Sequence, residues 1–269
     1  MGLFDIIDEI AEKQITKTET GDNRIFGVMT GFVAKNYDEN MPGRVCVTIP
    51  VRDTEANELQ WARVAMPSSG AKWGHYFLPE VGDQVLLAFE QGNIEKPYVI
   101  GCIPKNSNSF LTRAVDEKNQ FKQITTKNGN TILFEDNAEG EGDNDKIQIS
   151  TAKGTLHIKL DNEKKRIAIK DKSEDNSIVI RTEDGIMNIK AQKKLTIEVG
   201  SNVKLTMNEN GAVQLECSRL TVKADSSMNL ESSGTMKVKG SNVMTEASSL
   251  LKMQSSGAAV ISGSPIKMG

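Results

Sequence analysis

Two histidines and three cysteines are the side chains of this 269-residue chain best suited to nucleophilic, acid–base or metal chemistry. His75 sits between Trp73 and Tyr76 with no Gly-x-Ser-x-Gly and no paired cysteine near it, so it reads as a packing histidine. His157 lies on the alternating run Leu156-His-Ile-Lys-Leu, where an exposed or stacked position fits better than a ligand role. Cys46, Cys102 and Cys217 are far apart and form no Cys-x-x-Cys pair, which fits reduced thiols rather than a disulfide framework or a zinc site. Acidic residues crowd at Glu135-Asp136 and from Glu139 to Asp145, but as a solvated loop without metal-ligand spacing. Lys164-Lys165-Arg166 is a basic cluster in a hairpin turn, balanced by Asp161 and Glu163, and no phosphate-cradling loop occurs. These patterns give no catalytic residue, no cofactor site and no metal site.

The elements that carry these residues are more informative than the residues themselves. After Phe134 the remaining 135 residues hold no Phe, Tyr or Trp, and Pro is absent there until Pro265. Val, Ile, Leu and Met alternate with polar residues, as in Lys194-Leu-Thr-Ile-Glu-Val and Val203-Lys-Leu-Thr-Met. Period-two alternation puts one strand face in a core and the other in water. Because aromatics usually dominate buried area, their absence points to a narrow aliphatic interior. Leu220, Met228, Met236 and Met244 lie eight apart, as do Val222, Leu230 and Val238. Small residues fill the gaps, for example Glu231-Ser-Ser-Gly and Gln254-Ser-Ser-Gly. A short strand and a tight corner every eight residues is the pattern of a stacked β-helix. A single chain with two inward residues per rung cannot shield them, so the pattern implies three chains forming a prism. An ordinary β-sandwich would need irregular strands and aromatic core residues.

Residues 23–104 read as a small closed barrel of the OB type, with a strand starting over Ile25 to Val33 and others at Arg44 to Pro50, Trp61 to Met66, Gln84 to Glu90 and Pro97 to Gly101, separated by Gly turns. Residues 105–123 form a linker, and residues 124–269 the β-helix. Residues 1–22 read as a short amphipathic helix and tail with an apolar stripe of Leu3, Phe4, Ile6, Ile7 and Ile10, which either lies on its own domain or docks on a neighbouring subunit. The net charge of −3 gives no drive towards nucleic acid or anionic membrane. No apolar run approaches the length of a membrane span and no secretory segment is present, which implies synthesis in the cytoplasm.

Several motifs in this order carry a resemblance. Gly43-Arg-Val-Cys-Val-Thr-Ile-Pro, Trp61-Ala-Arg-Val-Ala, Trp73-Gly-His-Tyr-Phe-Leu-Pro-Glu-Val-Gly-Asp-Gln-Val-Leu-Leu-Ala-Phe-Glu-Gln-Gly and Lys96-Pro-Tyr-Val-Ile-Gly resemble the OB domain of spike proteins in contractile injection machines. These are the phage baseplate assembly protein V and the VgrG-type spikes. Gly129-Asn-Thr-Ile-Leu-Phe-Glu-Asp and Lys146-Ile-Gln-Ile-Ser-Thr are similar to the segment opening their trimeric β-helix, and Gly263-Ser-Pro-Ile-Lys-Met-Gly to its blunt end.

The resemblance implies an all-β fold, an OB barrel followed by an intertwined triple-stranded β-helix, in a homotrimeric needle that pierces a target envelope. The machine is phage-tail-like, so assembly into a baseplate is implied, with exposure outside the cell after release. Only about 24 residues precede the barrel, so a separate hub protein is expected, docked on Leu3, Phe4, Ile6, Ile7 and Ile10. The trimer core is expected at Leu220, Val222, Met228, Leu230, Met236, Val238 and Met244. With no terminal histidines to hold a metal tip, a separate PAAR-type tip protein is expected on Pro265, Ile266 and Met268. Contact with the target membrane would be transient. Two other classes were weighed. An OB-type nucleic-acid binder wants a basic groove lined by stacking aromatics, and a cell-wall hydrolase wants a placed carboxylate pair; the residues favour neither.

Overall fold

A computed structural model describes residues 24–49, 60–105 and 109–267. The stripe of Leu3, Phe4, Ile6, Ile7 and Ile10 and Met268 lie outside the described residues. The chain divides into two units between Leu195 and Thr196.

The first unit opens with a closed barrel. Its strands are β1 (Val28–Lys35), β2 (Arg44–Thr48), β3 (Gln60–Val64), β4 (Gln84–Phe89) and β5 (Pro97–Cys102), in the order β1-β2-β3-β5-β4. All pairings are antiparallel except β3 with β5, which run parallel at Arg63–Tyr98 and Val64–Val99 and so close the barrel. Alternation fills the interior: Val85, Leu87 and Phe89 of β4 point inward, joined by Val33, Val45, Val47, Ala62 and Val99. The interior is narrow enough to exclude a side chain at Gly31, where a Cβ would stand 2.6 Å from Leu87 Cδ1 and 2.9 Å from the Thr48 carbonyl. These strands match the expected ones closely, because each is a short period-two run bounded by Gly or Pro turns.

Beyond the barrel, a short helix α1 (Ser109–Ala114) occupies part of the segment expected to be a linker. Seven strands follow: β6 (Phe121–Thr125), β7 (Thr131–Glu135), β8 (Lys146–Ser150), β9 (Leu156–Asp161), β10 (Arg166–Asp171), β11 (Ser177–Arg181) and β12 (Ile186–Lys190). They pair in sequence order as one antiparallel meander. The sequence reading began a β-helix at residue 124, whereas the strands of residues 121–190 pair with one another inside the chain.

The second unit holds most of a three-stranded sheet of β13 (Lys194–Val199), β14 (Val203–Asn208) and β15 (Val213–Cys217), in that order. From residue 218 to 267 the described chain has sharp bends and neither strand nor helix. No backbone–backbone hydrogen bond joins its residues to one another.

Candidate functional site

The residues that stand out in the structure form a surface and not a cleft. In the meander, Ile124 lies opposite Ile132, which lies opposite Ile149, and the line continues through Ile158, Ile169, Ile178 and Ile189. One isoleucine from each of seven strands thus forms an unbroken row. A parallel row on the same face runs Phe134, Ile147, Leu160, Ile167, Ile180 and Met187. Alternation places these residues on one face, and antiparallel register stacks them. The face is uncovered in the single chain, where the seven isoleucines are 37 to 51% exposed. A contiguous apolar patch of this kind marks an interaction surface.

The opposite face is polar and cross-linked. Glu135, Lys146, Asp161, Arg166 and Arg181 stand side by side on successive strands. Lys146 Nζ lies 3.1 Å from Glu135 Oε1 and 2.9 Å from Glu163 Oε2. Hydrogen bonds to Glu163 and then Glu135 push its ammonium up to about 12. Asp161 is 3% exposed. Burial alone would raise its carboxyl, but the Lys164 amide and the Lys159 ammonium hold it below its ordinary value. Lys159 Nζ sits 3.1 Å from Asp161 Oδ2, close enough for an ion pair but not aligned as a hydrogen bond. Arg166 and Arg181 are directly opposed like charges, which weakens that pairing. This face pairs Lys146 and Lys159 with carboxylates within the chain and is the less exposed of the two, whereas the isoleucine face is left open.

The barrel is tied to the meander by Lys127, whose Nζ lies 2.8 Å from Glu80 Oε2. The hydrogen bond to Glu80 raises the Lys127 pKa. Both side chains are well exposed, so the pair orients more than it stabilises.

The candidate chemical residues remain scattered. His75 is exposed on the loop before β4, its amide bonded to the Ser68 carbonyl at 2.9 Å. It lines an apolar depression of about 160 Å³ with Met66, Pro67, Phe77 and Cys102, well below the roughly 300–1,000 Å³ of small-molecule sites. His157 is half-buried on the polar face of β9, its Nδ1 3.4 Å from Ser150 Oγ. Cys46 is buried in β2, Cys102 exposed and Cys217 half-buried. Burial pushes the Cys46 and Cys102 thiols up, with Asp83 adding to the effect at Cys102. Among the described residues, no group of three or more His, Cys, Asp or Glu could hold a metal ion.

The expected core residues Leu220, Val222, Met228, Leu230, Met236, Val238 and Met244 are 50 to 90% exposed in the single chain. Pro265 and Ile266 are exposed near the end of the described chain. The isoleucine row escaped the sequence reading because alternation names the face of each strand but not its neighbour. The signal was present in Ile132, Ile149, Ile158, Ile169 and Ile178, which recur near the centre of successive alternating runs.

Residues 29–103 match the family described as the type VI secretion system/phage-baseplate injector OB domain. The chain is similar to the type VI secretion system spike proteins VgrG2a and VgrG2b of Pseudomonas aeruginosa, 37% identical over 62 residues in each case. Those alignments cover 22% of this chain and 7% and 6% of the relatives. It is also similar to the spike protein VgrG5 of the same organism, 25% identical over 134 residues, covering 49% of this chain and 16% of that protein. The chain therefore spans a small part of the length of the curated relatives it matches. These likenesses mark it as resembling the baseplate and VgrG-type spikes, with the barrel as the best-matched part.

Proposed function

Taking the barrel as an injector-type OB domain, we propose that this chain is the central spike of a contractile, phage-tail-like injection machine and acts as a homotrimer. The observation that carries the reading is a chain with apolar surface and backbone it does not satisfy alone. The isoleucine rows of the meander lie uncovered, and residues 218–267 have no backbone partners among themselves. Two further copies, arranged around a three-fold axis, would cover the rows and supply the missing ladders. The interior would be apolar throughout and aliphatic beyond Phe134, with Leu220, Val222, Met228, Leu230, Met236, Val238 and Met244 in its narrow part as an intertwined β-helix.

The work of such a protein is mechanical. Sheath contraction drives a tube forward, and the spike at its front concentrates that force on a small area of target envelope. A ladder shared among three chains resists this load because no rung opens without its neighbours. In this reading a separate hub protein is held by Leu3, Phe4, Ile6, Ile7 and Ile10. A PAAR-type tip protein sits on Pro265, Ile266 and Met268, and contact with the membrane is transient. No group transfer is assigned to the chain.

Light scattering of the purified protein tests the reading. A mass of three chains, persisting in SDS without boiling, is expected. A folded monomer would sink it.

A further inference from the structure

The bends of the second unit carry a detail that the eight-residue spacing hides. The chain bends sharply at residues 225–226, 233–234, 241–242, 248–249, 256–257 and 264–265. Successive intervals are therefore eight, eight, seven, eight and eight residues. Counting two and four residues past the second member of each bend gives Met228 and Leu230, Met236 and Val238, Met244 and Glu246, then Leu251 and Met253, then Ala259 and Ile261. Simple extension by eights from Met244 and Glu246 gives Lys252 and Gln254, then Val260 and Ser262. The two counts part at the seven-residue interval.

We infer that the inward register of the repeat slips by one residue between Met244 and Leu251, so that Leu251, Met253, Ala259 and Ile261 continue the apolar core while Lys252 and Gln254 face water. The inference rests on the homotrimeric reading and specifies which surface each copy offers the others. Side chains alternate with period two, so a slip of one residue exchanges the two faces of everything beyond it. Without the slip, three copies of Lys252 would meet near the axis with no carboxylate at an equivalent position, and burial of unpaired charge is prohibitive. With it, the four inward positions past the slip are all apolar. Glu246 would bear the same penalty in the old register, so the slip falls between Met244 and Glu246, where the regular core is interrupted and residue 246 turns to water. The core beyond the slip is therefore a separate register block.

Thiol accessibility in the full-length protein tests this. Cys46, Cys102 and Cys217 are replaced by Ala, Ser and Ser, and single cysteines are placed at Leu230, Lys237, Leu251, Lys252, Met253 and Gln254. Each variant is treated under reducing conditions with a bulky maleimide. The expected result is that L251C and M253C react about tenfold or more slowly than K252C and Q254C, as buried positions must open first. L230C is slow and K237C fast in the same assay. Fast reaction at 251 and 253 with protection at 252 and 254, or equal rates at all four, overturns the slip. If L230C reacts as fast as K237C, the homotrimeric reading itself fails and the slip falls with it. Size-exclusion elution of each variant at the wild-type position confirms that the substitution has not disrupted assembly.

Discussion

Ile149 lies directly opposite Ile158 on β8 and β9, yet the two are 44% and 39% exposed in the single chain. Each is packed along the sheet and open above it. Placing carboxylates there should poison any surface that covers the row. Ile149→Glu combined with Ile158→Glu is expected to convert a trimer into a soluble monomer, with the barrel still folded. Analytical ultracentrifugation reads the mass, and a variant that stays trimeric would show that the row is not an interface.

A single charge in the narrow part of the repeat should act locally. Val238→Asp brings three carboxylates towards one axis, and unpaired buried charge costs several kcal/mol. Proteolysis within residues 218–267 is expected to rise by an order of magnitude or more if local opening becomes easy. Unchanged resistance would place Val238 on the outside.

Trp61 and Trp73 are the only tryptophans in the chain, and both belong to the barrel domain, so fluorescence reads this domain alone. Leu87 is fully buried, and Leu87→Ala is expected to cost about 2–5 kcal/mol. Gly31→Ala drives a methyl against Leu87 and the Thr48 carbonyl and is expected to cost about 1–3 kcal/mol. Denaturant titration measures both. A neutral Gly31→Ala would mean that β1 shifts away from β4 freely.

The polar face of the meander should titrate at both ends of the pH scale. Lys146 is raised from its ordinary 10.5 to about 12, so its contribution is full below pH 10.5 and is lost as pH rises through 12. Asp161 is lowered from its ordinary 3.8, so its contribution is present above that value and is lost as pH falls through the lower, folded value. Lys146→Met should flatten the alkaline limb of thermal stability, and Asp161→Asn the acid limb, each followed by circular dichroism. Limbs as steep as in the wild type would assign the pH dependence to other groups.

The barrel was legible because its strands are short alternating runs whose ends carry Gly and Pro, as at Met41-Pro-Gly and Val81-Gly-Asp. The eight-residue repeat was legible because the same residue types return at the same spacing, and the bends follow that spacing with one exception. The meander was not separated from the repeat, since a hairpin strand and a β-helix rung share one alternation. The difference lies in the turns, and several reverse the chain without the usual signal. Lys153, Lys165 and Glu174 adopt positive φ of 60°, 44° and 59°, a conformation normally left to Gly or Asn. Cross-strand partners such as Ile149 and Ile158, joined through the turn at Lys153, follow from those turns, so the full isoleucine row becomes visible only once the turns are known. Neither the hub-docking stripe nor Met268 falls among the described residues, and their roles rest on the resemblance alone.

Within the described residues, the backbone of residues 218–267 forms no ladder of its own, and in the proposed homotrimer the missing ladders come from the other two copies. Order in that stretch then obeys mass action. A lower chain concentration should slow its first ordering while leaving the barrel indifferent. The same asymmetry applies during synthesis: the barrel and meander leave the ribosome with their own pairing partners, whereas in the proposed homotrimer the last stretch must wait for two further chains. Local crowding of nascent chains on one messenger would shorten that wait, which makes the rate of assembly a property of translation as much as of the folded protein.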